Sequence, residues 1–426
     1  MGAGFKAWPS PVAVALLLAM AGCGPGTPPA SPAAPVTSTA TDETAAFLSR
    51  HWHIPLEANG PAPAHFSPAE ASLAPAACGT CHPRQFEDWQ TAWHSRATSP
   101  GLLGQLQDMG AQAQEEHQAC LQCHAPLAEQ AQHLVGSLAA GRTLPEQADG
   151  SSSAHGLTCA GCHIRKHRRF GPPRTDGTTP TSGTKLPHDG WQATAAFSDS
   201  RFCAACHQFA ADGPSLNGKP LENTYAEWQA SRHAREGRNC QSCHMPQRRH
   251  LWRGIHDPEM VKSGLTIETA LTAVGSGRVG AKLSIANTGV GHAFPTYVTP
   301  RVVVEIGQED QRGKLIPATV ERHLIARDVS IDLTVEHADT RLMPDEKRSY
   351  AYDRPLDPHA AALVFHITVD PDAFYADFYR ATLRDPEFRK GRTALRKALQ
   401  QADSSPYELY LAHQSIAQFP VAGKAR

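Results

Sequence analysis

The second half of the chain carries the hydrophobic pattern of β-strands. Beyond about residue 264, four stretches rich in β-branched residues alternate in part between apolar and polar positions, separated by Gly, Asn, Asp and Pro. They are Leu265–Val274, Val279–Ala286, Val302–Ile306 and Leu363–Val369. Because period-two alternation is typical of strands with one buried face, residues 263–380 are predicted to form a small antiparallel β-sandwich-like domain.

A helix is predicted after this domain. Asp385 suits an N-cap and Pro386 the first helical position, while Phe388, Leu395 and Leu399 would share one apolar face up to about Ala402. We therefore expect residues 381–426 to form a C-terminal helical segment that packs on the domain before it.

The N-terminus has the pattern of a signal peptide. Lys6 precedes an apolar run, Val12–Met20, that is too short to span a bilayer. The run leads through Ala21 and Gly22 to Cys23, so residues 1–23 are predicted to end in a lipobox, with ordinary signal cleavage as the alternative. Residues 24–45 are rich in Pro, Ala, Thr and Ser, which predicts a disordered tether.

Charge adds little about partners. The net charge is −1, so neither a nucleic-acid footprint nor a strongly basic membrane surface is indicated. The N-terminal pattern predicts an exported protein, periplasmic or held at the outer membrane of a Gram-negative bacterium by a lipid anchor on Cys23.

Cysteine spacing carries the chemistry. Ten of the eleven cysteines form five copies of C-x-x-C-H, which are numbered here as motifs 1 to 5: Cys78, Cys81 and His82; Cys120, Cys123 and His124; Cys159, Cys162 and His163; Cys203, Cys206 and His207; Cys240, Cys243 and His244. This is the attachment signature of c-type haem. Two thiols one helical turn apart bond covalently to the porphyrin, and the following imidazole ligates the iron. Five covalently bound haems are predicted.

Two other interpretations of the cysteines are weaker. Zinc sites need ligands in fours and do not require a histidine after each pair. Disulfide frameworks belong to small exported domains, whereas this chain has 426 residues.

The motifs begin 37 to 44 residues apart, which leaves too little protein for a conventional core around five porphyrins. Residues 46–262 are therefore predicted to be a mainly α and irregular domain wrapped around the haems. A second repeat lies within it. The pattern aromatic-x-acid-Trp-Gln-x-x-x-His occurs at 86–94 and again at 225–233. On one helix the aromatic and the histidine would share a face, which makes His94 and His233 candidate iron ligands.

The chain resembles the cytochrome c-554 family. The resemblance rests on motif 1 with Trp89 and His94, on Phe202 to Phe209 around motif 4, and on Glu227-Trp228 with motif 5 and Met245-Pro246. It covers roughly residues 75 to 260 and implies electron transfer and a haem packing shared with hydroxylamine oxidoreductase and pentahaem nitrite reductase. The family typically has four haems, whereas this chain has five motifs.

Further ligand candidates are less certain than the five motif histidines. The resemblance favours His256 over His250, and His292 and His188 follow, with His155 as a competitor to His188. His117, His133 and His167 lie near motifs but are expected to be structural. For His292, in a loop between predicted strands, a ligand that reaches out of the β domain and a solvent-facing turn are equally compatible with the sequence.

Three functions remain open. An electron-transfer relay between unknown redox partner proteins is the first prediction. An oxidoreductase acting on a small nitrogen or sulfur compound at one five-coordinate haem is the alternative, although no motif replaces its ligating histidine by lysine. A subunit whose β domain docks to a larger conduit is compatible with either.

Overall fold

The computed structural model describes residues 38–110, 112–140, 155–179 and 185–418. The predicted signal peptide, the lipobox at Cys23 and most of the tether lie outside these ranges. Residues 43–426 form one compact unit, as judged from the contacts between residues. No helix in the described ranges is long and apolar enough to cross a membrane.

Helices dominate the motif region and most are short. They are α1 Ser38–His51, α2 Pro68–Ala71, α3 Pro75–Gly79, α4 Pro83–Thr91, α5 Pro100–Met109, α6 Gln114–His124, α7 Ala128–Ala139, α8 Cys159–His163, α9 Arg201–His207, α10 Thr224–Ala230, α11 Arg232–Arg235, α12 Cys240–His244, α13 Pro258–Gly264, α14 Ala373–Arg384 and α15 Arg392–Asp403. Motifs 2 to 5 each end one of these helices, and motif 1 begins in α3. This helical character of the motif region agrees with the sequence prediction.

Side-chain caps define where two motif helices start. Thr158 caps α8, where its hydroxyl accepts the Gly161 amide, and Asn239 caps α12, where its side-chain oxygen accepts the Ser242 amide at 2.8 Å. Both contacts satisfy amides that have no partner within the first helical turn. The sequence thus fixes the turn that presents each thiol pair.

Strands make up most of the C-terminal part. Before the β domain, one small sheet contains β1 Ile164–Arg165, β2 Arg168–Gly171 and β3 Gln192–Ala193, and a second contains β4 Ser215–Leu216 and β5 Lys219–Pro220. The C-terminal part contains β6 Leu265–Gly275, β7 Arg278–Asn287, β8 Arg301–Asp310, β9 Glu321–Ile325, β10 Arg327–Val329, β11 Glu336–Asp339, β12 Lys347–Pro355, β13 Ala360–Asp370 and β14 Tyr407–Ser415. All four strands expected from the hydrophobic pattern are present.

Two antiparallel sheets form the β domain, with strand orders β12-β7-β6 and β14-β13-β8-β9. Leu283 and Ile285 from the first sheet share a fully buried core with Ile306, Phe365 and Ile367 from the second. Burying these side chains is the main stabilising contribution, because apolar area is removed from water on both faces.

The C-terminal segment differs from its prediction. Helix α15 begins at Arg392 rather than at Asp385, because Gly391 adopts φ 73°, a conformation that ends any helix running into it. A Cβ at Gly391 would also collide with the backbone of Gly104 in α5. The segment therefore packs on the motif region as well as on α14. Strand β14, which pairs with β13, shows that residues 381–426 are not helical throughout.

Candidate functional site

All ten motif cysteines and all five motif histidines line one cavity of 2180 Å³. The five predicted attachment sites therefore open into a shared space rather than into separate pockets. The same cavity is lined by His94, His188, His233, His250, His256 and His292. A thiol pair beside an imidazole at each of five places is the donor set that c-type haem requires, so the residues fit this group.

Three motif histidines each face a second imidazole across the cavity. The ring centres lie 6.2 Å apart for His207 and His94, 6.2 Å for His163 and His250, and 6.3 Å for His244 and His292. In the last pair the two ring planes are only 12° apart, so the rings lie nearly parallel.

The spacing matches two axial ligands of one metal. A metal–imidazole bond is about 2 Å long and the ring centre lies about 1 Å beyond the nitrogen, so two opposed rings lie roughly 6 Å apart. His94, His250 and His292 therefore occupy the positions expected for the second ligands at motifs 4, 3 and 5.

Backbone carbonyls fix the tautomers of six histidines. In each of them Nδ1 donates a hydrogen bond of 2.7 to 3.0 Å to a backbone carbonyl. The pairs are His124 with Ala97, His163 with Phe170, His188 with Gly190, His244 with Arg253, His250 with Arg248 and His292 with Ala293. A proton on Nδ1 leaves Nε2 as the metal-binding atom, and metal-ligating histidines commonly make this second contact. The pattern marks these residues as ligand candidates.

Burial keeps the opposed imidazoles neutral. It lowers the pKa of His163 and of His292 to about 4 and the pKa of His94 to about 3. Neutral imidazole is the form that binds iron, so no proton must leave these rings at physiological pH.

Motif 1 has a different neighbour. His188 lies close enough to His82 to lower the pKa of that imidazole further, after the larger effect of burial. Its backbone amide donates to Glu70 at 2.7 Å, and the residue holds a left-handed conformation with φ 44°. His188, which the sequence offered as a ligand candidate without assigning it to a motif, is therefore the imidazole that lies near motif 1, whereas its competitor His155 packs its ring against Trp89.

Motif 2 and His233 stand apart from this pattern. In the described ranges, no ring contact joins His124 to another imidazole, and none joins His233 to a motif histidine. His233 is buried and lies beside the loop that carries His292, where a Cβ on Gly291 would be 3.4 Å from that of His233. His233 lines the cavity all the same, so its role as an iron ligand stays a prediction.

Two expectations need correction. The resemblance favoured His256 over His250 as an iron ligand, whereas in the structure the Nε2 of His256 contacts Asp372 at 3.0 Å and its ring packs on Trp93, and it is the ring of His250 that lies 6.2 Å from that of His163. The repeated segments are not single helices either. Ala92 and Ser231 have extended backbone, so each histidine sits on a separate short turn after the break.

Other histidines use Nε2 for structural contacts. His117 bonds Leu106 O and His167 bonds Gly60 O, both from buried positions, and His133 is exposed. Their expected structural role agrees with these contacts. The resemblance placed His250 behind His256 as a ligand candidate, whereas the ring contact with His163 favours His250.

Thiols from different motifs approach one another. Cys78 lies close enough to Cys159, Cys123 to Cys206 and Cys203 to Cys240 for each thiol to shift the pKa of the other. Cys162 lies near both thiols of motif 4. Neighbouring attachment sites are therefore in contact in the order 1–3–4, with motifs 2 and 5 both adjoining motif 4.

Comparisons with known proteins agree with this arrangement. Residues 77–164 match the family described as cytochrome c554 and c-prime. The fold is similar to that of a penta-haem cytochrome c552 from Thermochromatium tepidum, with a TM-score of 0.56 and 17% identity over 82% of this chain and 100% of that one. A protein designated ApaA from Bordetella pertussis also matches, at a TM-score of 0.15 and 16% identity over 25% of this chain and 76% of that one. No curated protein matches the sequence.

The family match falls on motifs 1 to 3, and the structural match covers 82% of this chain. Residues 77–164 of the chain are thus similar to the cytochrome c554 family, and this match together with the C-x-x-C-H motifs supports covalently bound c-type haems.

Proposed function

We propose that this chain is a multihaem c-type cytochrome that acts as a five-haem electron relay. The observation that carries the proposal is the pairing of imidazoles at 6.2 to 6.3 Å across three motif histidines. When bound between two imidazoles, haem iron exchanges single electrons and has no open position for a substrate.

The contacts between thiols suggest the path. Motif 4 adjoins motifs 2, 3 and 5, and motif 3 adjoins motif 1. His82 lies near His163, and His207 near His244, which supports the same order. Electrons would therefore pass from motif 1 through motifs 3 and 4, where the path divides, rather than along the sequence.

The protein around the path stays fixed during transfer. Carbonyl contacts at Nδ1 hold the six histidines named above in one orientation. Such contacts keep the ligand geometry the same in both oxidation states, which is what rapid electron exchange needs.

The relay predicts the spin states of the purified protein. We expect mass spectrometry to find five haem additions on the chain after expression with cytochrome c maturation factors. Low-temperature EPR of the oxidised protein should show at least four low-spin haems, because motifs 1, 3, 4 and 5 each have a second imidazole available. Two or more high-spin haems in fully loaded protein would contradict the relay.

A second candidate function rests on motif 2. In the described ranges no imidazole opposes His124, and the Cys206 thiol lowers the pKa of Cys123 although the nearby Glu222 carboxylate acts in the opposite direction. Burial raises the pKa of Tyr375 to about 12, so its phenol keeps its proton, and the His256–Asp372 pair lies at the same cavity. One five-coordinate haem here would make the chain an oxidoreductase for a small nitrogen or sulfur compound.

One spectrum separates the two candidates. A single high-spin haem that binds nitrite or hydroxylamine rapidly would favour the oxidoreductase, and five low-spin haems that bind neither would favour the pure relay.

We further propose that the protein is exported and held at the outer membrane by lipid on Cys23, where its β domain meets redox partners. The support is the apolar run that ends at Ala21-Gly22-Cys23. A diacylglyceryl group plus an N-acyl chain anchors stably, whereas one chain anchors marginally. The wild type should incorporate labelled palmitate and fractionate with the outer membrane.

The matched variant is Cys23→Ser, which should lose the label and become soluble in the periplasm. An unlabelled wild type found in the soluble fraction would instead indicate ordinary signal cleavage.

A further inference from the structure

The repeated segments contain an acid followed by tryptophan, Asp88-Trp89 in α4 and Glu227-Trp228 in α10. These are called the acid–Trp pairs. Ring packing on porphyrin or in a core would explain the tryptophans but not the acids, whose side chains are only 4% exposed. Buried carboxylates are costly unless they are paired and hydrogen-bonded, so their partners indicate their role.

The first acid holds the loop that carries His250. Asp88 accepts the backbone amide of His250 at 2.9 Å and pairs with the guanidinium of Arg249, whose Nε lies 2.7 Å away. His250 is the imidazole that faces His163 of motif 3. The carboxylate thus fixes the backbone of one candidate axial ligand directly.

The second acid holds the loop that carries His292. Glu227 accepts the amide of Ala293, the next residue, at 3.1 Å and pairs with Arg341 from the β domain at 3.1 Å. Arg341 also donates to the carbonyl of Thr296 in the same loop. His292 faces His244 of motif 5, so the arrangement at motif 3 recurs with different residues.

The tryptophans hold the other side of the same two sites. Trp89 donates its indole N–H to the carbonyl of Leu157 at 2.8 Å, and Trp228 donates to that of Arg238 at 2.8 Å. Leu157 lies two residues before Cys159, and Arg238 lies two residues before Cys240. In each pair, the acid therefore contacts the loop that carries the opposed histidine. The neighbouring indole contacts the segment just before the cysteines of the same site.

We propose that each acid–Trp pair is a positioning device for one bis-histidine haem site. Asp88-Trp89 sets the distance between the two ligand-bearing segments of motif 3, and Glu227-Trp228 does the same for motif 5. The pairs touch neither the cysteines nor the ligating rings; they act through backbone amides and carbonyls. The inference rests on the proposed function, which takes His250 and His292 as axial ligands.

The test uses EPR on protein that carries all of its haems. It compares the variant of each acid with the variant of the histidine that this acid is proposed to position. His250→Ala and His292→Ala serve as references, because each should remove one low-spin signal and the two signals should differ. Asp88→Ala should convert more than half of the signal that His250→Ala removes to high spin, and Glu227→Ala should do so for the His292 signal. Added imidazole should restore low spin in both acid variants, since only the protein ligand is displaced.

Matched variants separate positioning from general damage. Asp88→Asn should retain the low-spin signal, because an amide oxygen still accepts the His250 amide. Glu87→Ala removes an exposed charge from the same helix and should change nothing. If Asp88→Ala does not mature, Trp89→Phe, which removes only the indole N–H, should shift the g values of the same single signal.

The outcomes distinguish the two levels of the argument. If the histidine variants leave every low-spin signal intact, the ligand assignment in the proposed function fails. If the histidine variants behave as expected but the acid variants keep their signals, or lose all signals equally, the positioning role is overturned.

Discussion

Replacing His292 with alanine should convert one low-spin haem to high spin. The ring of His292 faces that of His244 at 6.3 Å with the planes 12° apart, and its Nδ1 is held by its own neighbour's carbonyl. No other described imidazole makes a ring contact with His244. Loss of the ring should therefore open one axial position, which EPR would record as about one high-spin haem per chain.

Docking of the β domain should weaken in the same variant. His292 belongs to the loop between β7 and β8, whereas His244 belongs to α12, so iron ligation would tie the two regions together. Limited proteolysis between residues 264 and 300 should become faster.

His256→Ala is the control. It removes an imidazole from the same cavity, but that ring contacts Asp372 and Trp93. We expect all low-spin signals to persist in it. A low-spin signal lost in His256→Ala and kept in His292→Ala would reverse our assignment.

Among the substitutions considered, Arg327→Ala should lower the free energy of unfolding the most. The side chain of Arg327 in β10 is 1% exposed and donates to the carbonyls of Leu216, Lys219 and Pro220 in the β4–β5 hairpin, as well as to Glu336. Alanine would leave these buried carbonyls without a donor. Removing one partner of such a network costs about 3 kcal/mol or more in the free energy of unfolding.

Urea denaturation followed by circular dichroism would measure this loss, with Arg322→Ala as the control. Arg322 in the neighbouring strand β9 pairs with Glu305, but its side chain is 66% exposed. Its removal should change the free energy of unfolding by less than about 0.5 kcal/mol. Equal midpoints for the two variants would show that the buried network contributes little.

The haem-attachment motifs and four of the strands could be predicted from the sequence, because both depend on residues that are close together in the chain. A thiol pair and a histidine within five residues specify covalent haem attachment wherever they occur, so motifs 1 to 5 needed no fold. Alternating apolar residues also predicted β6, β7, β8 and β13, since each strand's buried face is determined by its own side chains.

Helix and strand boundaries that depend on contacts between distant residues could not be predicted from the sequence. The start of α15 is set by the approach of Gly391 to Gly104, and β14 forms by pairing with β13. Neither partner is close in sequence, so the expected helix began too early and the last strand was missed.

The choice of second ligands was decided by tertiary structure alone. His250 and His256 lie only six residues apart, yet the buried carboxylate of Asp88, more than 160 residues away, accepts the backbone amide of His250, whose ring faces His163, while Asp372 contacts the ring of His256. Sequence determined which residues attach haem, because attachment is local chemistry. Which imidazole completes each site depends on backbone segments brought together across the fold, whose positions no single stretch of sequence encodes.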